Sequence, residues 1–280
     1  MKPVERSESR EFVEALARGI DVLKSFDTMH MAMSVSEVAA RTGLARPTAR
    51  RLLITLEQLG YVRALDGVYS LTARTLELGT AYISSLGLWD LARPHMQALV
   101  DTTRESSSMS QLDGSDVVYV ARVAVPKIIA LSVSIGTRFP AVATSMGRVM
   151  LAALTVDSLD AVLSTPSASG IVPRVSPPRS ELDAELSRVR EQGWAMSDEQ
   201  LSLGIRSVAV PVLGPDGVVS AAMNVTTHAA ETSVDRLLNE HLPKLLEAAR
   251  AIGEEWSHLA RLPSVLVRSS GGTADVPTQR

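Results

Sequence analysis

The amino-acid sequence predicts an α+β protein with two domains. Its 280 residues exceed the length of a typical single domain, which is about 100 to 200 residues. The first 72 residues show short helical patterns followed by a hairpin signal, whereas the residues after 88 mix helical patterns with longer strand-like segments. We therefore predict a first domain at 10–72, a linker helix at 73–87, a second domain at 88–261 and a polar, disordered tail at 262–280.

Composition limits the classes of function that remain. The formal net charge is −3, so any contact with nucleic acid must come from a local basic patch. There are no cysteines, which excludes disulfides, thiolate metal ligands and cysteine nucleophiles. No apolar run reaches the roughly 20 residues of a membrane span, and the first residues lack the apolar core of a signal peptide. We expect a cytoplasmic protein with no membrane partner.

The first domain begins with helical signals. Residues 10–26 carry apolar side chains at helical spacing, at Phe12, Val13, Leu16, Ile20, Leu23 and Phe26. After a short break, Ser34 and Glu37 have the spacing of a capping box, which predicts the start of a second helix. Gly43 ends that helix in the left-handed conformation.

A third helix and a hairpin follow at once. Pro47 is typical of a first helical turn, and Gly60 ends the helix. Asp66-Gly67 lies between residues that favour strands, which predicts a β-hairpin. The predicted apolar face of the helix comprises Ala49, Leu52, Leu53, Leu56 and Leu59.

This order of elements predicts a winged helix-turn-helix whose third helix enters the DNA major groove. Residues 41–63 hold five arginines against Glu57 alone, a net charge of +4, whereas residues 1–80 hold eleven basic and ten acidic residues. The arginines alone fit a solvated surface equally well, and the order of elements favours DNA. We expect contacts with a double-stranded operator from Ser36, Arg46, Thr48, Arg50, Arg51, Thr55 and the wing residue Arg63.

The second domain is predicted to be a mixed α/β unit with an antiparallel sheet. Turn signals at Asp113-Gly114 and at 215–217 each lie between strand-like segments. A loop at 144–147 opens a further helix. Predicted strands cover 108–123, 127–135 and 207–228, and predicted helices cover 89–104, 155–164, 179–192 and 231–260.

No catalytic or metal-binding pattern is present in the sequence. The five histidines are scattered without metal-ligand spacing, and no GxSxG, P-loop or GxGxxG sequence occurs. The serines at 106–108 can be interpreted as nucleophiles, but turn and capping roles are more common for such residues. We expect neither enzyme activity nor a metal or cofactor.

Two features of the second domain suggest a ligand site. The loop Ser145-Met146-Gly147 opens a helix, whose free amides and dipole would suit a carboxylate. Alternatively, Ser145 only caps the helix and Gly147 permits close packing, and spacing does not decide between the two. Asn224 and Thr226 share one face of a strand, and polar residues there need partners, as does Ser207 on the preceding strand.

The chain resembles the IclR family of bacterial transcription regulators over about residues 11 to 260. The resemblance rests on "EALARGIDVLKSF", "SVSEVAARTGLARPTARRLLITLEQLGYV", "YSLTARTLELG", "TSMGRVMLAAL" and "LGIRSVAVPVLGPDGVVSAAMNVTTH". In addition, "TSMGR" and "GLWDLARPHMQALV" resemble the subgroup that controls aromatic-acid catabolism through the β-ketoadipate pathway, the protocatechuate-type regulators.

The resemblance implies a winged helix-turn-helix, a linker helix and an effector domain related to the GAF fold. It also implies a homodimer through the N-terminal module, often a homotetramer, and a small organic acid or aromatic effector. The family's effector pocket, transferred by motif, falls on Ile128, Phe139, Ser145, Met146, Ile205, Ser207, Asn224 and Thr226, with Asp198 in the segment that covers it.

Two departures from the family pattern affect what can be transferred. Ser108 and Ser207 stand where relatives often have cysteine, which implies a more hydrophilic pocket wall. The Arg46-Pro47 start of the third helix is also unusual, so the operator sequence is not transferred. We expect a DNA-binding regulator that senses a small carboxylate. The alternative is a DNA-binding protein whose C-terminal half serves only for oligomerisation.

Overall fold

The computed structural model describes residues 11–27, 29–79, 87–126 and 133–261. The chain divides into two compact units, residues 1–86 and 87–280. The predicted linker helix begins with a 3-10 turn at Ala73–Thr75, and its residues 80–86 lie outside the described residues. The predicted tail at 262–280 also lies outside them.

The described residues between 14 and 71 form three helices and a three-stranded antiparallel sheet in the order β1-β3-β2. The segment predicted as a break between the first two helices contributes the edge strand β1, which pairs with β3. The elements are α1 (Glu14–Lys24), β1 (Ala32–Ser34), α2 (Val35–Thr42), α3 (Arg46–Gln58), β2 (Val62–Leu65) and β3 (Val68–Leu71).

The local signals for these elements are confirmed. The Ser34 hydroxyl accepts the Glu37 N–H at 3.4 Å, and the Glu37 carboxylate accepts the Ser34 N–H at 2.7 Å, so both halves of the capping box are present. Gly43 has φ +67°, and Asp66 and Gly67 have φ +51° and +80°, as the tight hairpin turn requires.

The core of the N-terminal unit joins the inner faces of the three helices to the sheet. Leu59 was predicted on the apolar face of α3, which is wrong: it lies just past the last helical residue and is 52% exposed. Apolar side chains are exposed just before α1, at Phe12 and Val13, and on α1 itself, at Leu16 and Ile20. Buried core residues are Val22, Phe26, Met33, Val38, Ala39, Ala49, Leu53, Leu56 and Val62.

The C-terminal unit contains a six-stranded antiparallel sheet in the order β6-β5-β4-β9-β8-β7. The predicted α+β class is confirmed, although the short strands β6 and β7 were not predicted. A three-residue helical turn and a π-helical turn, Leu237–His241, precede the last helix. The elements are α4 (Leu88–Thr103), β4 (Ser106–Asp113), β5 (Asp116–Val123), β6 (Arg138–Pro140), α5 (Ser145–Ala152), α6 (Val156–Ser164), α7 (Arg179–Gln192), β7 (Ala195–Asp198), β8 (Ile205–Leu213), β9 (Val219–His228) and α8 (Leu242–Arg261).

Helices cover both faces of this sheet. The pair α4 and α8 packs on one face, and α5 packs on the other with α7 outside it. All eight residues of α5 are buried. The start of α5 is therefore held rigidly against the middle of the sheet, because a helix enclosed on all sides cannot shift without disturbing its neighbours.

A β-bulge interrupts the pairing of β4 with β5. Met109 pairs with Ala121 and Ser110 pairs with Tyr119, so Val120 is an extra residue in β5. Side chains that alternate along a regular strand would place Tyr119 and Arg122 on opposite faces. The inserted residue instead brings both to the face that carries α5.

Candidate functional sites

The start of α3 forms an exposed basic surface. Arg46, Arg50 and Arg51 are exposed, and no acidic side chain of the described ranges lies within ion-pair distance of them. Thr48 beside them is half-buried. A groove next to Arg46 and Arg50 is walled by residues of α2, α3 and the hairpin, namely Val35, Pro47, Ala64, Gly67 and Tyr69. The helix start and the hairpin thus share one surface.

The other predicted DNA-contact residues are also at the surface, but two of them already have partners. The Thr55 hydroxyl donates to the Arg51 carbonyl at 3.0 Å. The Arg63 side chain donates to the Ser70 hydroxyl at 3.1 Å. Ser36 is exposed in the first turn of α2.

A polar cavity of about 60 Å³ lies between the sheet of the C-terminal unit and the start of α5. Cross-strand register explains its polar wall, since directly paired residues face the same side. One row runs from Arg122 through Ser108 to Asn224. The neighbouring row comprises Ser106, Thr226, Ser207 and Ser197.

Hydrogen bonds join α5 to β8 and β4 to β9 at the predicted residues. The hydroxyls of Ser145 on α5 and Ser207 on β8 are 2.7 Å apart. The Asn224 side-chain carbonyl accepts the Ser108 N–H at 3.0 Å, and its amide donates to the Thr226 hydroxyl at 3.0 Å. These buried groups are therefore fixed in orientation, as binding groups need to be.

The geometry at the start of α5 corrects the sequence interpretation. Thr144, not Ser145, caps the helix, because its hydroxyl accepts the Gly147 N–H at 3.0 Å. A Cβ on Gly147 would lie 2.1 Å from the Ala141 carbonyl oxygen, so glycine is needed for close packing. The Gly147 amide is therefore not available to a ligand, while the Ser145 and Met146 amides have no acceptor within the helix.

Five of the predicted effector residues line the cavity, and four do not. Those lining it are Ser145, Ile205, Ser207, Asn224 and Thr226. Gly147, Phe139, Met146 and Asp198 lie behind or beside its wall.

Phe139, Met146 and Asp198 each contact another side chain instead of lining the cavity. Phe139 packs edge-on against Tyr119 with ring centroids 5.5 Å apart. Met146 accepts the Ser110 hydroxyl through its sulfur, and the Asp198 carboxylate is 2.8 Å from the Arg206 side chain. Ile128, the remaining predicted effector residue, lies outside the described residues.

Sequence reasoning missed most of the other residues that line the cavity, among them Glu105, Tyr119 and Arg122. The Arg122 guanidinium donates to the Ser108 hydroxyl at 3.0 Å. Burial lowers the pKa of Arg122 and raises the pKa of Tyr119 to about 12, the latter partly offset by the positive charge of Arg122. Only the bulge brings this pair to the cavity, and strand alternation in the sequence gives no sign of it.

The three neighbouring serines of β4 have structural partners. Ser106 accepts the Val125 N–H at 3.0 Å, Ser107 donates to the Asn224 carbonyl at 2.8 Å, and Ser108 accepts from Arg122. They lie within the strand, so the expected turn and capping roles are wrong. The described part of the chain holds no cluster of three or more His, Cys, Asp or Glu residues suited to a metal. It also holds no helix long and apolar enough to cross a membrane.

Family models match both units. The model of the IclR helix-turn-helix domain matches residues 15–66. The model of the bacterial transcriptional regulator IclR C-terminal domain matches residues 80–254. The chain belongs to the IclR family.

Several IclR-family regulators are similar to this chain over most of its length. The Pca regulon regulatory protein of Pseudomonas putida is 37% identical over 241 residues, which are 86% of this chain and 83% of the relative. The p-hydroxybenzoate hydroxylase transcriptional activator of Acinetobacter baylyi is 31% identical over 253 residues, 89% of this chain and 93% of the relative. The predicted likeness to protocatechuate-type regulators is confirmed.

A solved IclR-family structure shows the same fold. The crystal structure of an IclR homolog complexed with 4-hydroxybenzoate, from Microbacterium hydrocarbonoxydans, has a TM-score of 0.75 and 26% identity. The match covers 87% of this chain and 99% of that one. The protein is therefore an IclR-type transcriptional regulator with an N-terminal helix-turn-helix and a C-terminal domain built on an antiparallel sheet.

Proposed function

We propose that this regulator binds its operator through the start of α3 and the hairpin wing, and that a small organic acid in the C-terminal cavity alters that binding. The observation that carries the proposal is the cavity itself, whose wall joins buried and half-buried polar side chains from five strands to the start of a buried helix. Buried polar groups gathered around an internal space are typical of a ligand site.

The DNA-contact residues of the proposal are Ser36, Arg46, Thr48, Arg50, Arg51, Thr55 and Arg63. The strongest support concerns the three arginines of α3, which are exposed and lack acidic partners within the described residues. Arginines in the first turns of a recognition helix reach base edges or phosphates when that helix enters the major groove. Arg63 lies on the wing, where phosphate contacts are expected.

Support for an aromatic acid as effector comes from the wall chemistry and from a relative. The wall offers hydroxyl and amide groups at Ser145, Ser207, Asn224 and Thr226. The Microbacterium protein binds 4-hydroxybenzoate. The cavity of about 60 Å³ holds only a few water molecules, so part of its wall must move to admit a ligand of the size of 4-hydroxybenzoate. Such a displacement gives the ligand a preference between two conformations, which regulation requires.

We further propose that the protein forms homodimers through its N-terminal unit and assembles into tetramers through its C-terminal units. Four large apolar side chains are exposed in and just before α1: Phe12, Val13, Leu16 and Ile20. A group of exposed apolar side chains of this kind is typical of an interaction surface. A two-fold dimer would present two α3 helices to two half-sites of an operator.

The test combines ligand and DNA measurements on the full chain. Thermal unfolding is followed with aromatic and dicarboxylic acids, and operator affinity is measured by fluorescence anisotropy on DNA selected from a random pool. At least one acid should raise the unfolding midpoint and shift operator affinity, and Asn224→Leu should remove both effects. Arg250→Gln, which changes an exposed residue of α8, serves as the control. If no acid has either effect, the C-terminal unit functions only in oligomerisation.

A further inference from the structure

We infer that Arg122 binds the carboxylate of the effector, an inference that rests on the proposed function. Arg122 lines the cavity and is half-buried. Its guanidinium carries five N–H donors, and one of its nitrogens donates to the Ser108 hydroxyl. Throughout the described ranges, no carboxylate lies within 4.0 Å of it.

The other arginines inside the same unit are compensated. Arg206 makes a two-pronged pair with the Asp198 carboxylate at 2.8 and 3.0 Å and also donates to the Thr232 carbonyl at 2.7 Å. Arg148 donates to the Val142 and Met196 carbonyls at 3.0 and 3.4 Å. Removing a charge from water is costly unless the charge is paired. Within the described residues, Arg122 has the neutral Ser108 hydroxyl as a partner but no carboxylate, and a bound anion would supply the missing negative charge.

The β-bulge at Val120 is the reason that the charge faces the cavity. The same bulge brings Tyr119 to that side, where its ring stands edge-on to Phe139. An aromatic ring beside these two would find the edge-to-face arrangement that aromatic pairs favour. The pairing of a cation with an aromatic wall favours an aromatic carboxylate over an aliphatic one.

The spacing of the strands sets the size of the ligand. The Arg122 side chain extends to β4, where it donates to the Ser108 hydroxyl, and the hydroxyl of Ser207 lies on β8. From β4 across β9 to β8 is two strand spacings, roughly 10 Å. That span suits a single six-membered ring with the carboxylate at Arg122 and a hydroxyl group near Asn224 and Ser207.

The amides at the start of α5 are the competing anion site. The Thr144 hydroxyl already occupies the Gly147 amide, which leaves the Ser145 and Met146 amides. These amides offer partial positive charges on one side of the cavity. Arg122 instead offers a full positive charge and two parallel N–H donors, which can bind both oxygens of a carboxylate. We therefore assign the carboxylate to Arg122 and the polar substituent to the Ser145–Ser207 side.

Isothermal titration calorimetry with a matched pair of ligands tests this assignment. The full-length protein is titrated with benzoate, 4-hydroxybenzoate and 3,4-dihydroxybenzoate, and with the neutral amide of each. The wild type should bind at least one acid about tenfold more tightly than its amide. Arg122→Gln should weaken binding of the acid by about 10- to 100-fold and should change binding of the amide by less than about twofold.

Two further variants complete the experiment. Arg122→Lys keeps the charge but loses the two parallel N–H donors, so it should retain part of the preference for the acid. Arg250→Gln removes an exposed charge from α8 and should bind like the wild type.

The outcomes separate the inference from the proposed function. If the wild type binds an acid and Arg122→Gln binds it equally well, the inference is wrong, the α5 amides hold the carboxylate, and the proposed function stands. If the wild type binds none of the six ligands, the proposed function fails and the inference fails with it. If Arg122→Gln does not fold, Arg122→Lys decides: unchanged acid affinity in that variant contradicts the assignment.

Discussion

The two units of the chain each hold arginines without acidic partners in the described residues, but in different surroundings. Arg46, Arg50 and Arg51 stand in water at the start of α3. Arg122 is half-buried in the wall of the C-terminal cavity. An exposed guanidinium keeps its hydration and loses little by being unpaired, whereas a buried one loses hydration without compensation. The comparison shows that the exposed arginines lose little by having no acidic partner, whereas Arg122 carries a desolvation cost that its neutral partner Ser108 does not offset in full.

The largest expected effect is on the exposed cluster. Replacing Arg46, Arg50 and Arg51 together with alanine should weaken operator binding by more than about 100-fold, because each contact to a base contributes roughly 1 to 3 kcal/mol. The slope of log affinity against log salt concentration should become shallower by up to about three. Fluorescence anisotropy at several salt concentrations measures both quantities.

The thermal midpoint of this triple variant should stay close to that of the wild type, since the three side chains are exposed and have no partners in the described structure. Unchanged affinity and an unchanged salt slope would show that α3 does not face the DNA.

A second prediction compares the two interior arginines by stability. Arg206→Met leaves the Asp198 carboxylate without its partner and should lower the free energy of unfolding by about 1 to 3 kcal/mol, a range reduced because Asp198 is partly exposed. Arg122→Met leaves no carboxylate unpaired and should change the free energy of unfolding by less than about 1 kcal/mol, or increase it. Urea denaturation without ligand measures both.

Equal losses for the two methionine variants would show that Arg122 has a structural partner and would remove the contrast between the two arginines. A stable Arg122→Met protein that no longer prefers acids over amides would instead show that the cavity sacrifices stability for binding.

The smallest expected effect concerns pH. The pKa of Tyr119 in the folded protein is about 12, above the usual value near 10, so the unfolded chain loses this proton first as pH rises. Stability should therefore fall between pH 10 and 12, by about 1.4 kcal/mol per pH unit from this group. Thermal midpoints at increasing pH should show a shallower fall in Tyr119→Phe. In Arg122→Met, phenolate absorbance should appear at still higher pH, because a positive charge that lowers the pKa of Tyr119 has been removed.

The N-terminal unit was predictable from sequence because its signals are local. The Ser34–Glu37 capping box, the left-handed Gly43 and the Asp66-Gly67 turn each depend on residues a few positions apart. The strand β1 was missed because three residues are too few to show alternation, and its pairing with β3 depends on residues more than thirty positions away.

The candidate cavity was only partly predictable. Asn224 and Thr226 were found because β9 is regular over ten residues, so alternation holds along it. Gly147 was misinterpreted because the sequence does not show that the Thr144 hydroxyl takes its amide. Arg122 and Tyr119 were missed because their orientation depends on the register between β4 and β5, which the sequence of β5 alone does not determine.

Because Val120 is an extra residue in β5, the side chains before it lie on the opposite face from the one that strict alternation with the side chains after it would give. Deleting Val120 would restore strict alternation and turn either the tyrosine or the arginine away from the cavity. In a homologue without the bulge, the residue aligned with Arg122 would point into a different layer of the protein. Ligand specificity in such a domain can therefore change by insertion or deletion of one residue, with no substitution in the pocket itself.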